Sequence, residues 1–67
     1  MPNAYIDGPK IGDIETKRSL VKEVTDAMEK AYKFPRQAYV VTITENPSEN
    51  VGVGGELIAD RHEKARP

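Results

Sequence analysis

One residue near the start of the chain could carry out acid–base chemistry. Pro2 follows Met1, and proline is small enough for the initiator methionine to be removed, after which Pro2 would present a secondary amine. A free α-amino group titrates near about 8, and desolvation or nearby cations lower that pKa because both disfavour the charged form. Such an amine could remove a proton next to a carbonyl group. Many chains begin Met-Pro without this consequence, so the pair by itself leaves both interpretations open.

The chain lacks the residues that several other kinds of active site require. It contains no Cys and one His, His62, which excludes a thiol nucleophile, a disulfide and a zinc site without carboxylate help. The glycines at 52, 54 and 55 are not followed by a helix of the phosphate-binding type, and no Gly-Lys-Ser/Thr is present. We therefore expect no metal and no cofactor.

Length and charge limit the partners that the chain can have. Its 67 residues predict a single domain over residues 1–67, because typical domains have about 100–150 residues. With 10 basic and 11 acidic side chains, it has no net field that would attract nucleic acid. No apolar run approaches the roughly 18 residues of a membrane span, and no leader segment is recognisable. We expect a cytoplasmic protein with neither nucleic acid nor membrane as a partner.

The first half of the sequence predicts a short strand followed by a long helix. Residues 3–7 lie between Pro2 and the turn signal Gly8-Pro9, which favours a strand. Apolar residues then recur at three- and four-residue spacing from Ile14 to about Tyr32, which indicates an amphipathic helix. Asp13 is a suitable N-cap for this helix.

The second half predicts one more strand and a glycine-rich segment. Residues 38–44 are rich in β-branched and aromatic side chains, and Tyr39 alternates with apolar residues as expected of a packing side chain. Three glycines between residues 52 and 55 predict tight turns, and hence a short C-terminal hairpin, or close approach of another chain. We expect the tail to fray from about residue 60.

Strand, helix and strand in this order predict an α/β (α+β) subunit with one βαβ unit and two parallel strands. One helix covers only one face of a two-stranded sheet, so the other face and both edges need partners. A second copy of the same chain is the simplest partner, which favours a homo-oligomer.

The order of these features resembles the 4-oxalocrotonate tautomerase family of the tautomerase superfamily. The features are Met1-Pro2 before the first strand, the strand that ends Ile-Thr-Glu at Glu45, and the run Asn-Val-Gly-Val-Gly-Gly-Glu-Leu over residues 50–57. The run at 49–55 and Gly8-Pro9-Lys10 are most similar to the branch called DmpI-like. The resemblance implies a homohexamer built as a trimer of dimers. It also implies a cofactor-independent isomerase of aromatic degradation that uses Pro2 as the general base on 2-hydroxy-dienoate acids such as 2-hydroxymuconate.

This sequence departs from the family where the resemblance implies two arginines and an aromatic residue. The first loop has Pro9 and Lys10, the second long strand has Val40, and the position before Gly52 is Val51. A dicarboxylate or enol acid substrate still needs a cation, so Lys10 is the first candidate substitute.

Four further residues enter the candidate binding site. Arg36 and Arg61 are alternative cations that could reach in from a neighbouring subunit. Val51 would leave a wider apolar pocket, and Asn50 could offer a hydrogen bond. The three departures also leave open an alternative function, a non-catalytic oligomeric scaffold on the tautomerase fold, whereas the Met1-Pro2 start favours an enzyme.

Overall fold

The computed structural model describes the backbone of residues 1–64 and the side chains of residues 1–61. Its regular elements are two strands with a long helix between them, then a small hairpin and a short helix. In chain order they are β1 (Asn3–Gly8), α1 (Ile14–Tyr32), β2 (Val40–Glu45), β3 (Gly52–Val53), β4 (Glu56–Leu57) and α2 (Ile58–Lys64). Single 3₁₀ turns at Arg36–Ala38 and Ser48–Asn50 precede β2 and β3.

Strands β1 and β2 are parallel, which confirms the predicted βαβ unit. Their register pairs Asn3 with Val40 at one end and Gly8 with Glu45 at the other. Backbone hydrogen bonds extend the pairing past both ends. The Val40 N–H donates to the Pro2 carbonyl at 3.1 Å, and the N–H of Asn46 donates to the Gly8 carbonyl at 2.8 Å. Both strands therefore begin along one edge of the sheet, the edge formed by the first residues of the strands, and end along the opposite edge.

Helix α1 has the predicted bounds because both of its ends are fixed by local interactions. The Asp13 carboxylate accepts the Thr16 backbone N–H at 2.8 Å and so satisfies one of the free donors of the first turn. Hydrogen bonds to Thr16 hold the pKa of Asp13 below its usual value. At the other end Lys33 adopts a left-handed conformation with φ 62°, which ends the helix.

Strand β2 begins two residues later than the sequence indicates. Ala38 is the last residue of a 3₁₀ turn over residues 36–38 and not part of the strand, and the Tyr39 backbone N–H donates to the Arg36 carbonyl oxygen at the end of this turn. The hydroxyl of Tyr39 accepts the Phe34 N–H at 2.8 Å and donates to the Phe34 carbonyl at 3.1 Å. Tyr39 is also the most buried apolar side chain described, at 9 % exposed. Its predicted packing role is confirmed.

The glycine-rich segment forms the predicted hairpin. Strands β3 and β4 are antiparallel, and Gly54 and Gly55 connect them with φ values of 61° and 81°. Two successive positive φ angles are typical of a type I′ turn, which a residue with a Cβ adopts only with strain. The chain then continues as α2 to Lys64, and fraying of the tail from about residue 60 stays a prediction. Residues 65–67 lie outside the described residues.

One subunit leaves one face of its sheet bare. Side chains alternate along both strands, so that Ala4, Ile6, Val41 and Ile43 are partly covered on the helix side. On the other face Tyr5 is 77 % exposed and Val40 is 38 % exposed. The radius of gyration is 16.0 Å, whereas a compact domain of this length would have about 11 Å. The described chain is thus open rather than closed around a core.

Candidate active site

Pro2 lies at the sheet edge where both strands begin. It precedes β1, is partly buried, and its carbonyl oxygen is held by the Val40 N–H of the neighbouring strand. The proline ring fixes φ as well. Position and orientation of the Pro2 nitrogen are therefore set by the sheet. Asn3, which belongs to none of the sequence motifs, donates from Nδ2 to the Met1 carbonyl oxygen at 3.0 Å.

Arg36 belongs to the same edge, but carboxylates of α1 engage its side chain. Its Nη1 lies 2.9 Å from Asp26 Oδ1 and 3.0 Å from Glu29 Oε1. The hydrogen bond with Asp26 is the main reason why the pKa of Arg36 is raised. Hydrogen bonds from Lys22 and then from Arg36 lower the pKa of Asp26. A substrate carboxylate would have to compete with two protein carboxylates for this guanidinium group.

Lys10 lies beyond the opposite end of β1. The six residues of this strand span about 20 Å at 3.3 Å per residue, with Pro2 before the strand and Lys10 after it. Lys10 is exposed, whereas the loop that carries it is fixed by Glu45. The two oxygens of Glu45 accept the backbone N–H of Ile11 at 2.7 Å and the Lys17 ammonium group at 3.1 Å. Sequence proximity of Lys10 to the Pro2 strand thus does not bring the two together within one subunit.

A cavity of about 330 Å³ lies at this second edge, next to the loop of Lys10. Its apolar wall includes Val51 and Ile58, and Pro9 closes one side. The polar rim is formed by Asp7, Asn46 and Ser48, and Asn46 Nδ2 donates to Asp7 Oδ1 at 2.6 Å. The volume is within the range of small-molecule sites. Val51 therefore lines a cavity of suitable size, while exposed Asn50 lies on the adjoining turn.

Arg61 is engaged with the hairpin. Its Nε lies 3.2 Å from Glu56 Oε1, and its Nη2 donates to the Val53 carbonyl at 3.2 Å. These bonds connect α2 to both strands of the hairpin, so the structure gives Arg61 a local contact in its own subunit.

The residues singled out from the sequence therefore form two groups in one subunit. Pro2 and Arg36 belong to the edge where the strands begin, whereas Lys10 and Val51 lie at the edge where they end. Across the described residues, no three side chains of the types His, Cys, Asp and Glu come close enough to hold a metal ion. None of the described helices combines the length and apolar character that crossing a membrane requires.

The sequence and the fold agree with a known family. A family model described as "Tautomerase enzyme" matches residues 2–61. The chain belongs to the tautomerase family. This confirms the resemblance noted in the sequence and supports an isomerase enzyme with tautomerase activity.

Similar proteins extend this assignment in sequence and in structure. The 2-hydroxymuconate tautomerases of Pseudomonas fluorescens and Pseudomonas putida are each 40 % identical to the chain over 42 residues, which are 63 % of this chain and 67 % of theirs. The structure of DmpI from Archaeoglobus fulgidus is 44 % identical, with a TM-score of 0.78 over 88 % of this chain and 100 % of that chain. DmpI from Helicobacter pylori is 31 % identical, with a TM-score of 0.76 over 88 % and 98 %.

The contacts of Glu45 predict how stability depends on pH. The Ile11 N–H, and secondly Lys17, hold the pKa of Glu45 below its ordinary value of 4.5. A carboxyl group whose pKa is lower in the folded than in the unfolded protein stabilises the fold at pH values above its unfolded pKa. This stabilisation is lost as the pH falls through its folded pKa. The thermal unfolding midpoint should therefore fall as the pH is lowered below about 4.5. In Glu45→Gln the midpoint should fall less over the same pH range.

The control is Glu49→Gln, because Glu49 is exposed and no contact of the described residues involves its carboxylate. In this variant the thermal unfolding midpoint should fall with pH by as much as it does in the unmodified protein. An identical pH dependence for Glu45→Gln and the unmodified protein would contradict the prediction.

Proposed function

We propose that the protein is a tautomerase that moves a proton on 2-hydroxy-dienoate acids of the 2-hydroxymuconate type, with the Pro2 amine as general base after removal of Met1. The observation that carries this proposal is the fixed position of Pro2 at the start of β1, held by the Val40 N–H in a chain of the tautomerase family. The name of the two Pseudomonas relatives supports the substrate class.

The chemistry needs only a base that later acts as an acid. The Pro2 nitrogen accepts the proton of the 2-hydroxyl group, and the electron pair left on oxygen delocalises over the dienoate. The ammonium group of Pro2 then returns the proton to a carbon atom, so that the enol becomes a ketone. Electrons are only redistributed within the substrate, and the proposal includes no cofactor. Partial burial of Pro2 favours the neutral amine because desolvation disfavours its charged form.

We propose further that two subunits complete each site. Within one subunit the length of β1 separates Pro2 from Lys10 and Val51, so a substrate at Pro2 can meet them only on another copy. The bare sheet face around Tyr5 supports such an association. The proposed assembly is a homohexamer, a trimer of dimers, with the hairpin segment from Gly52 to Gly55 at subunit contacts.

In this composite site Lys10 binds a substrate carboxylate. It is exposed, whereas Arg36 and Arg61 already bind protein carboxylates. Val51 contributes an apolar wall, and Asn50 a hydrogen bond at the rim. A lysine is a point charge that cannot bind a carboxylate in the bidentate manner of arginine, so we expect weak activity on a broad range of enol acids. A non-catalytic scaffold is not favoured, because the family and the Pseudomonas relatives are enzymes by name.

The first prediction concerns the base. Pro2→Ala leaves a primary amine of different geometry and should lower kcat strongly, because general base catalysis contributes roughly 10²- to 10⁴-fold. Retained Met1 should abolish activity, since an amide nitrogen is not basic. Steady-state kinetics on 2-hydroxymuconate, with Met1 removal checked by mass spectrometry, measures both effects. Equal rates for the processed and unprocessed protein would exclude Pro2 as the base.

The second prediction concerns the cation. A charge-assisted hydrogen bond contributes about 1.5–3 kcal/mol, so Lys10→Ala should lower kcat/KM by roughly 10- to 100-fold, mainly through KM. Arg36→Ala and Arg61→Ala should have smaller effects because their side chains bind protein groups. A larger loss in either arginine variant would identify that arginine as the anchor, and unchanged kinetics in all three would refute cation binding at these positions.

The third prediction concerns assembly. Tyr5→Glu places a charge on the bare sheet face and should shift the protein from a hexamer to smaller species in sedimentation velocity experiments. Lys30→Glu changes an exposed residue of α1 and serves as the control that should retain the assembly. A stable folded monomer of the unmodified protein at micromolar concentration would contradict the proposed hexamer.

A further inference from the structure

The amide side chain of Asn3 reaches past Pro2 to the residue before it. Its Nδ2 donates a hydrogen bond of 3.0 Å to the Met1 carbonyl oxygen. That oxygen belongs to the peptide group whose nitrogen is Pro2, so it is only two covalent bonds from the Pro2 nitrogen. A hydrogen-bond donor is thus directed at an oxygen beside the atom that serves as the base in the proposed function.

Removal of Met1 would change the Pro2 nitrogen and the Asn3 side chain at the same time. The Pro2 nitrogen becomes an amine, and the Asn3 amide loses the acceptor that it has in the unprocessed chain. Asn3 is exposed at the start of β1, directly after Pro2, so a small molecule that reaches the Pro2 nitrogen also meets the Asn3 amide. A substrate oxygen beside the Pro2 nitrogen could then occupy the position of the Met1 carbonyl oxygen.

Among the described residues, the other polar side chains at this edge are either engaged elsewhere or not directed at Pro2 by a hydrogen bond. Arg36 is engaged with Asp26 and Glu29, and the Tyr39 hydroxyl is engaged with Phe34. Val40, which the strand register places opposite Asn3, has no polar group. Gln37 is an exposed amide on the 3₁₀ turn, but no hydrogen bond among the described residues directs it toward Pro2.

We propose that Asn3 is a catalytic hydrogen-bond donor that stabilises the substrate oxygen while Pro2 moves the proton; this inference rests on the proposed function. The 2-hydroxyl proton goes to the Pro2 nitrogen, and its electron pair remains on the oxygen as a dienolate. Asn3 Nδ2 donates to this oxygen. Pro2 then delivers the proton to carbon, the C=O bond forms, and the hydrogen bond weakens as the negative charge disappears.

The test compares two amides at the same edge. Asn3→Leu keeps the approximate size and removes the donor, and it should lower kcat on 2-hydroxymuconate roughly 100-fold, the loss typical of removing one donor to a developing oxyanion. Gln37→Met is the matched control and should keep kcat within about twofold. Each protein is checked by mass spectrometry for removal of Met1 and by sedimentation for an unchanged assembly.

A second variant tests whether the side chain at position 3 lies beside the Pro2 amine in the processed protein. Asn3→Asp removes the donor and adds a negative charge beside the Pro2 amine, which should raise the pKa of that amine. The acidic limb of the kcat/KM profile should therefore shift to higher pH, in addition to the lower rate.

The outcomes separate this inference from the proposal on which it rests. Full activity of Asn3→Leu together with a strong loss in Pro2→Ala would overturn the role of Asn3 and leave Pro2 as the base. Equal losses in Asn3→Leu and Gln37→Met would overturn it too. Full activity of Pro2→Ala would refute the proposed function itself, and the role of Asn3 with it.

Discussion

Parallel pairing of β1 with β2 determines which residues of this chain can meet. The Pro2 carbonyl and the Val40 N–H begin the ladder, and the Gly8 carbonyl and the Asn46 N–H end it. Parallel strands share their starting edge, which leaves the starting and ending edges a full strand length apart. The chain thus has one end that presents a proposed base and another that presents a cavity and an exposed cation. Catalysis that uses both ends requires a second subunit.

Most of the secondary structure follows from local signals in the sequence. The Asp13 cap and the apolar spacing that follows define α1, and the pair Gly54-Gly55 defines the hairpin turn. The start of β2 could not be predicted in the same way, because it depends on a contact between the Tyr39 hydroxyl and the Phe34 backbone. Helix α2 is also hard to foresee, since its seven residues are too few to show a helical period.

The candidate site was only partly accessible to sequence analysis. Pro2 stands out in the sequence because of its position next to Met1. The carboxylates that engage Arg36 and Arg61 lie on other elements, so that sequence spacing gives no sign of them. Lys10 is close to Pro2 in sequence but distant in space because the intervening residues are extended. No motif contains Asn3, whose interest arises from a single side-chain contact.

The open shape of the subunit affects how the protein behaves in dilute solution. None of the described side chains is completely buried, so one copy retains little of the apolar contact that normally offsets chain entropy. If copies of the chain supply the missing contacts, folding and association become one equilibrium. The temperature of unfolding would then rise with protein concentration, and the rate of refolding would depend on how often two chains collide.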